Sequence, residues 1–301
     1  MSLAPVAVFA YNRPDHLQKV TEALARNPEA TATRLFVYSD APKNAAAVER
    51  VEQVRSHAHG LKAFDSVEVI EQQSNQGVAE SIVNGVTDLT ARFGKVIVLE
   101  DDLLPSSHFL AYLNDALDFY ENDDRVISVH AYSYPVSSVL PETFFLRGAD
   151  CWGWATWKRG WDLFEADGRK LLRELEHHKL TYDFDFNGSY PYTEMLRDCI
   201  DGKNDSWAIR WYASALLLGK LTLYPRSSQV QNIGADGSGY HVGATRSFEH
   251  QQWGEPISVG NIPVQESDTS RRAFSTYLSG LRPTPVTRVF NRVAKLFQGK
   301  S

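Results

Sequence analysis

The sequence predicts an α/β protein built on a mostly parallel central sheet. Two observations predict it: over the first 130 residues short apolar runs alternate with segments of helical periodicity, and the apolar runs end in polar or acidic turns. In such sheets ligands bind beyond the carboxyl ends of the strands, which is where Asn12-Arg13, Ser39-Asp40 and Glu100-Asp101-Asp102 all fall. Residues 5–10 read as a buried strand; Pro14 suits a helix's first position and Asp15 its first turn, so a helix follows to about residue 26. The pattern repeats with a strand over Arg34 to Tyr38, a helix over Ala45 to His57 and a third strand over Val67 to Glu71. Asn75-Gln76-Gly77 then starts a helix from about Val78 to Arg92, and after Gly94 the run Lys95 to Leu99 is the most hydrophobic strand so far. Either Ser106 or Ser107 is placed to cap a helix with Phe109, Leu113, Leu117 and Tyr120 on one face, before a strand over Val126 to Val129.

Beyond residue 130 the composition changes, and all seven tryptophans lie in this second half. No Gly/Ser linker, repeat or low-complexity run separates the halves. Residues 1–281 therefore read as one two-part domain, divided into 1–130 and 131–281, and 282–301 as a tail. With 301 residues the chain is long enough to bury a large core. A net charge of −6 leaves no basic excess for a phosphate polymer, which excludes nucleic acid as an expected partner. No stretch approaches the ~20 apolar residues that cross a bilayer, and Cys151 and Cys199 make neither a disulfide framework nor a zinc cluster. With no signal-peptide pattern at its start, the expectation is a cytoplasmic protein. The tail carries a charge of +5, with Val286, Val289, Phe290, Val293, Leu296 and Phe297 on one helical face. That suits an anionic membrane surface, and equally a helix docked on the body.

Three consecutive acids at the end of an apolar strand repel one another, a cost that falls if Mg2+ or Mn2+ takes carboxylate oxygens there. Such an ion also neutralises charge on a leaving diphosphate. The plainer alternative is a solvated acidic turn ahead of a helix. The CWGWATWKRGW segment offers indole faces for sugar rings; Trp152, Trp154 and Trp207 are the acceptor candidates, with core packing as the competing role. Glycines 234, 237 and 239 would let backbone N–H groups approach an anion, in a loop that also holds His241.

PVAVFAYNRPDHLQKVTEAL, SDAPK, SNQGVAESI and above all KVIVLEDDLLPSSHFLAYLNDAL resemble nucleotide-sugar-dependent glycosyltransferases of the GT-A, Rossmann-like fold. The likeness is to the N-acetylglucosaminyltransferases that initiate complex N-glycans and to bacterial family 2 sugar transferases. It covers residues 5–130 well and continues more loosely to about 250. Its specific part is Glu-Asp-Asp in place of the family's Asp-x-Asp, followed by the Leu-x-x-x-x-x-Phe-x-x-Tyr helix. By position, the resemblance implies that Asn12 and Arg13 border the nucleotide base, that Asp40 accepts from a uracil ring, and that Asn75 and Gly77 lie beneath the nucleotide. It further implies Asp101 near the ribose and sugar, Asp102 as the direct metal ligand, Glu100 in support, and His241 at the metal or diphosphate.

An inverting transfer needs a base for the acceptor hydroxyl, and related enzymes carry it in a Trp/Asp-rich segment at about this point. Asp205 is the first candidate and Asp201 the second, an N-cap role being the alternative for Asp205. The implied function is metal-dependent transfer from a UDP-sugar to a glycan or lipid-linked glycan of the cell envelope, at the inner face of the membrane. Two other functions compete. Nucleotidyl transfer lacks a Gly-rich, Lys/Arg-bearing loop after the first strand, and a non-catalytic carbohydrate-binding protein would keep the fold without the chemistry.

Overall fold

A computed structural model of the chain describes residues 2–234, 247–250 and 252–281. The tail at 282–301 and its expected membrane contact lie outside the described residues, as does His241.

The first half alternates as its sequence pattern requires. It runs β1 (Val6–Ala10), α1 (Pro14–Leu24), β2 (Arg34–Ser39), α2 (Val48–Gly60), β3 (Ser66–Glu71), α3 (Gly77–Phe93) and β4 (Lys95–Glu100). Pro14 opens α1 with Asp15 in its first turn, and Gly94 closes α3 in the left-handed region at φ 77°. After the acid turn come β5 (Leu103–Pro105), α4 (Phe109–Phe119) and β6 (Val126–His130). The second half adds β7 (Thr143–Arg147), β8 (Trp154–Trp157), α5 (Lys158–Trp161), α6 (Gly168–His177), α7 (Thr181–Phe184) and α8 (Tyr192–Ile200). It ends with α9 (Trp207–Leu217), β9 (Leu221–Pro225), β10 (Val230–Asn232) and α10 (Asp268–Gly280).

Eight strands form one sheet in the order β3-β2-β1-β4-β8-β6-β9-β7, and β5 pairs with β10 separately. Strands β3, β2, β1, β4, β6 and β9 share one direction, while β8 and β7 run against them. Both halves of the chain therefore contribute to the same sheet, with the tryptophan strand β8 wedged between β4 and β6.

Alternation along the strands divides the interior. Val6 and Val8 face a core with Leu17, Val20, Val54, Leu110 and Leu113 of α1, α2 and α4. Ala7 and Phe9 face the opposite core, with Ile82, Val86 and Leu89 of α3 and four tryptophans. A third cluster packs β7 and β9 against α6, α8, α9 and α10.

Two local expectations are corrected. The stretch from Ala45 begins as a 3-10 turn, Ala45–Ala47, before α2. Neither Ser106 nor Ser107 is the residue flanking α4, a position held by His108. The Ser106 hydroxyl instead accepts from the His108 N–H at 3.1 Å and meets Gln229 at 2.6 Å. A serine so placed ties α4 to the start of β10 and does more than cap its own helix.

Gly160 marks the tightest approach of a helix to the sheet: a Cβ there would stand 2.5 Å from the Ile127 carbonyl oxygen and 2.7 Å from Thr156 Oγ1. Backbone cannot yield as a flexible side chain does. Gly160→Ala is expected to cost about 1–3 kcal/mol, the usual penalty of overpacking, measurable as a lower urea midpoint at unchanged slope. An unchanged midpoint would contradict this account of the α5–β6 contact.

Candidate active site

Strands β1 and β4 are parallel neighbours with Phe9 opposite Glu100, so the Asn12-Arg13 turn and the acid turn leave the sheet side by side. The Arg13 guanidinium hydrogen-bonds Asp101 through Nη2, and its Nη1 lies 3.0 Å from Asp102 Oδ2. Side-chain exposures of 19% for Arg13, 4% for Asp101 and 18% for Asp102 put this ion cluster largely out of water, with Asp102 open at one side. Burial pushes the Asp101 carboxyl up to about 6 even though Arg13 pulls it down. Burial, with Asp102 and Asp101 beside it, raises Glu100 further, to about 8. For Arg13, burial acts to lower the pKa, but the two aspartates outweigh it and the guanidinium is held more firmly charged than usual. The sequence named Arg13 as a neighbour of the base; its position makes it the counter-ion of the acids. Asn12 contributes its carbonyl oxygen, which accepts from Arg50 Nε at 2.8 Å.

Asp40 leaves β2 on the other side of β1, its N–H bonded to the Ala10 carbonyl. Its Oδ1 accepts from the Ala41 N–H at 2.8 Å and the Gln76 N–H at 2.9 Å. Its Oδ2 accepts from Asn75 Nδ2 and the Gly77 N–H, both at 2.9 Å. Four donors fill the lone pairs of this carboxylate. The resemblance implies that Asp40 reads a uracil N–H; here the side chain holds the Asn75–Gly77 turn at the start of α3. Asn75 and Gly77 are brought to the same strand ends, as expected of them, but with their donors turned to Asp40.

Asp205 lies beside that turn, its Oδ2 3.7 Å from where a Cβ on Gly77 would stand. It is exposed and does not cap α9; Ser206 does, its hydroxyl accepting from the Ile209 N–H at 3.3 Å. Asp201 instead pairs with Lys203 at 3.2 Å, well out in solvent. A chain of contacts thus runs from Asp205 through Gly77 and Asp40 to the end of β1, and from there to Asp101 and Asp102.

The stretch after β10 is tied to the acids as well. The Ile233 N–H donates to the Asp102 carbonyl at 2.8 Å, and a Cβ on Gly234 would lie 2.2 Å from Asp102 Oδ2. Only glycine fits over that carboxylate. Among the described residues no group of three or more His, Cys, Asp or Glu side chains is arranged to hold a metal. The acid turn nevertheless fits a hard cation of the Mg2+ or Mn2+ kind: its donors are carboxylate oxygens, and Asp102 keeps part of its side chain exposed.

The glycosyl transferase family 2 signature matches residues 6–177, more than half the chain. The chain belongs to glycosyl transferase family 2. Its α/β architecture is consistent with the GT-A fold. No curated protein matches it closely enough to compare. Among solved structures it is similar to a mannosyltransferase, PcManGT from Pyrobaculum calidifontis, described in complex with GDP-Man and Mn2+. The two share 17% identity over 44% of this chain and 36% of that one, at a TM-score of 0.34. It is also similar to S. aureus TarS, at 14% identity over 49% of this chain and 24% of that one, with a TM-score of 0.33. For TarS residues 1–349 the figures are 13%, 54%, 48% and 0.34. The chain thus spans less than half the length of the structures it matches.

In this family 2 chain the tryptophan expectation is corrected in part. Trp154 is 0% exposed and Trp207 4%, and their ring centroids lie 5.4 Å apart within a core that also holds Trp161 and Trp211. Rings closed in on all sides cannot cover a sugar, so neither is an acceptor residue. Strand alternation sends Trp154 into one core and Trp157 into the other. Trp152 remains half-open, edge-on to Tyr132 at 4.8 Å, with its N–H donated to His130 Nε2 at 3.0 Å.

The raised carboxyls give the family 2 site a pH signature. With Glu100 near 8 and Asp101 near 6, the folded chain keeps protons that the unfolded chain releases within the usual carboxylate range. Stability in EDTA should therefore fall as pH rises towards 8 and level off above it. Glu100→Gln removes the later part of that fall, so its melting temperature should change little between pH 6 and 8. A variant that loses stability over that range as steeply as the wild type would contradict the assignment.

Proposed function

We propose that the protein is an inverting, divalent-metal-dependent glycosyltransferase. In this reading it moves a sugar from a nucleotide-diphosphate donor, UDP-sugars first among them, to a hydroxyl of a glycan or lipid-linked glycan in cell-envelope polysaccharide synthesis. The observation that carries the reading is the contact chain that joins an exposed, uncapped Asp205 to the acid turn after β4. One carboxylate is poised for proton transfer and a buried ionic cluster stands ready for a charged donor, along one row of strand ends.

The roles follow from the groups. Asp205 accepts the proton of the acceptor hydroxyl as that oxygen bonds to the anomeric carbon. The bond from that carbon to the diphosphate breaks on the opposite face, and its electron pair leaves with the nucleotide. Arg13 holds the Asp101 and Asp102 side chains in position through its two nitrogens. Asp102, with Asp101 behind it, would hold Mg2+ or Mn2+, which supplies charge neutralisation at the leaving diphosphate. Asp40 fixes Asn75 and Gly77 so that the start of α3 stays in register beneath the nucleotide. With the Asp40 oxygens engaged, the case for uridine rests on the family resemblance. His241 is proposed to reach the diphosphate from the glycine-rich loop. Residues 1–281 would form the catalytic domain, and the +5 tail would hold it at an anionic cytoplasmic membrane face, where lipid-linked acceptors are met. No helix among the described residues is long and apolar enough to cross a membrane.

The test is nucleotide release from UDP- and GDP-sugars, each with Mn2+ and with EDTA, in the presence of mixed glycan acceptors. One donor class should turn over with metal, and Asp102→Ala should abolish it. Asp205→Asn should lower transfer by about 10²–10⁴-fold, the usual contribution of a general base, while donor binding persists. Transfer within tenfold of wild type in Asp205→Asn would remove it from the reaction. No turnover of any donor would favour a carbohydrate-binding role without catalysis.

A further inference from the structure

The segment between β7 and β8 is pinned at both ends. Gly148, at φ 105°, donates its N–H to the Lys220 carbonyl and accepts from Thr222 Oγ1 at 2.7 Å. At the other end the Trp152 N–H reaches His130, and the Gly153 carbonyl accepts from the Ala131 N–H at 2.7 Å. Arg147 pairs with Leu221 where β9 begins, whereas Trp154 pairs with His130 where β6 ends. Residues 148–153 therefore climb from the far edge of the sheet to the edge that carries the acid turn, and Asp150 sits midway.

Asp150 keeps 29% of its side chain exposed. Its Oδ1 accepts from the Cys151 N–H at 2.8 Å and lies 3.8 Å from His130 Nε2. That nitrogen accepts from Trp152, and burial disfavours protonation of His130, so it supplies no positive charge. Among the described residues no lysine or arginine pairs with Asp150. Arg147 and Arg271, the cations that act on neighbouring Tyr212, are tied to Asp183 and Glu266.

Several aromatic side chains stand near enough to feel this carboxylate, Tyr132, Tyr134 and Tyr192 among them. Trp152 meets Tyr132 at 4.8 Å, Tyr132 meets Tyr134 at 5.4 Å, and Tyr134 and Tyr192 hydrogen-bond through their hydroxyls. Tyr132 is buried, but Trp152, Tyr134 and Tyr192 each keep part of their surface open. The Cys151 thiol feels Asp150, Glu100 and Asp102 together, so Cys151 stands between Asp150 and the end of the sheet that carries the acid turn.

We infer that Asp150, with the part-exposed side chains of Trp152, Tyr134 and Tyr192, seats the acceptor sugar, and that this subsite selects a neutral pyranose over a uronic acid or a sugar phosphate. This rests on the transferase reading above and names its acceptor class. A partly exposed carboxylate accepts from neighbouring sugar hydroxyls, while flat rings cover the apolar C–H face. Glu100 and Asp102 act on the same Cys151 thiol as Asp150, and Arg13 is already shared by Asp101 and Asp102. An anionic sugar would meet uncompensated like charge.

The experiment is saturation-transfer NMR on the full chain with UDP and Mg2+, using methyl glycosides of glucose, galactose, mannose and N-acetylglucosamine, with methyl glucuronide and glucose 6-phosphate as anionic probes. At least one neutral glycoside should bind, and each anionic probe should bind at least tenfold more weakly. Asp150→Asn, which keeps an oxygen for the Cys151 N–H, and Asp150→Ala should both weaken the neutral glycoside about tenfold or more, the loss expected for hydrogen bonds to a charged group. Asp162→Asn, a surface change where Asp162 pairs with Lys158, should leave glycoside binding in place. Equal binding by Asp150→Asn and wild type, anionic probes as tight as neutral ones, or no neutral glycoside bound would each overturn the proposal. The two readings are recorded separately: thermal stabilisation by the nucleotide reports the donor site, and saturation transfer reports Asp150.

Discussion

Three carboxylates in succession at the end of a buried strand cannot all stay ionised without a cation, and the rest of the site is arranged around that constraint. Arg13 supplies the cation at two of them from the neighbouring strand. Its supply depends on the parallel pairing of β1 and β4, which sets Phe9 opposite Glu100 and brings both turns out at one level. A one-residue slip in that register would reverse the faces of β1 and move Arg13 out of reach. The two cores on either side of the sheet are thus what fix the electrostatics of the site. Where Arg13 leaves the charge incompletely balanced, Glu100 and Asp101 hold protons more tightly than ordinary carboxyls.

The same principle of internal satisfaction governs the second strand end. A carboxylate that binds four donors is a structural fastener, and Asp40 joins β2 to the start of α3 in that way. Asp205 stands against the far side of this fastened turn without a hydrogen bond to the described residues. One aspartate is satisfied and the other is available, and this contrast gives the two different parts. Gly234 closes over Asp102 from another direction, so the segment that follows β10 departs from the acid turn itself.

The parallel half was legible because its signals are local. Each strand, turn and helix from Val6 to Glu100 is specified by neighbouring residues: Pro14 and Asp15 start α1, Gly94 stops α3, and an apolar run ends in acids. Arg13, Asp101, Asp102 and Asp205 could be picked out as candidates by type and position. Their partners could not, because the Arg13–Asp101 contact spans 88 positions and the Asp40–Gly77 contact 37. The tryptophans failed for a related reason. Indoles suit a core and a sugar equally, and only the pairing of β8 with β4 and β6 decides that Trp154 faces inward. Asp150 carried no sequence signal at all; it matters because the chain runs there between rings of the segment after β6, of α8 and of the loop before β8.

The central claim is that the acid turn and its arginine bind a nucleotide diphosphate together with a divalent cation. The most direct measurement is thermal unfolding of wild type and Asp102→Ala with UDP, GDP, CDP and dTDP, each with and without Mn2+. A ligand bound only by the folded state must raise its stability, by about 2.7 kcal/mol at a hundredfold excess over the dissociation constant. The account predicts a metal-dependent rise with one nucleotide family in the wild type and none in Asp102→Ala. No rise with any nucleotide, in protein with a cooperative unfolding transition, would contradict it.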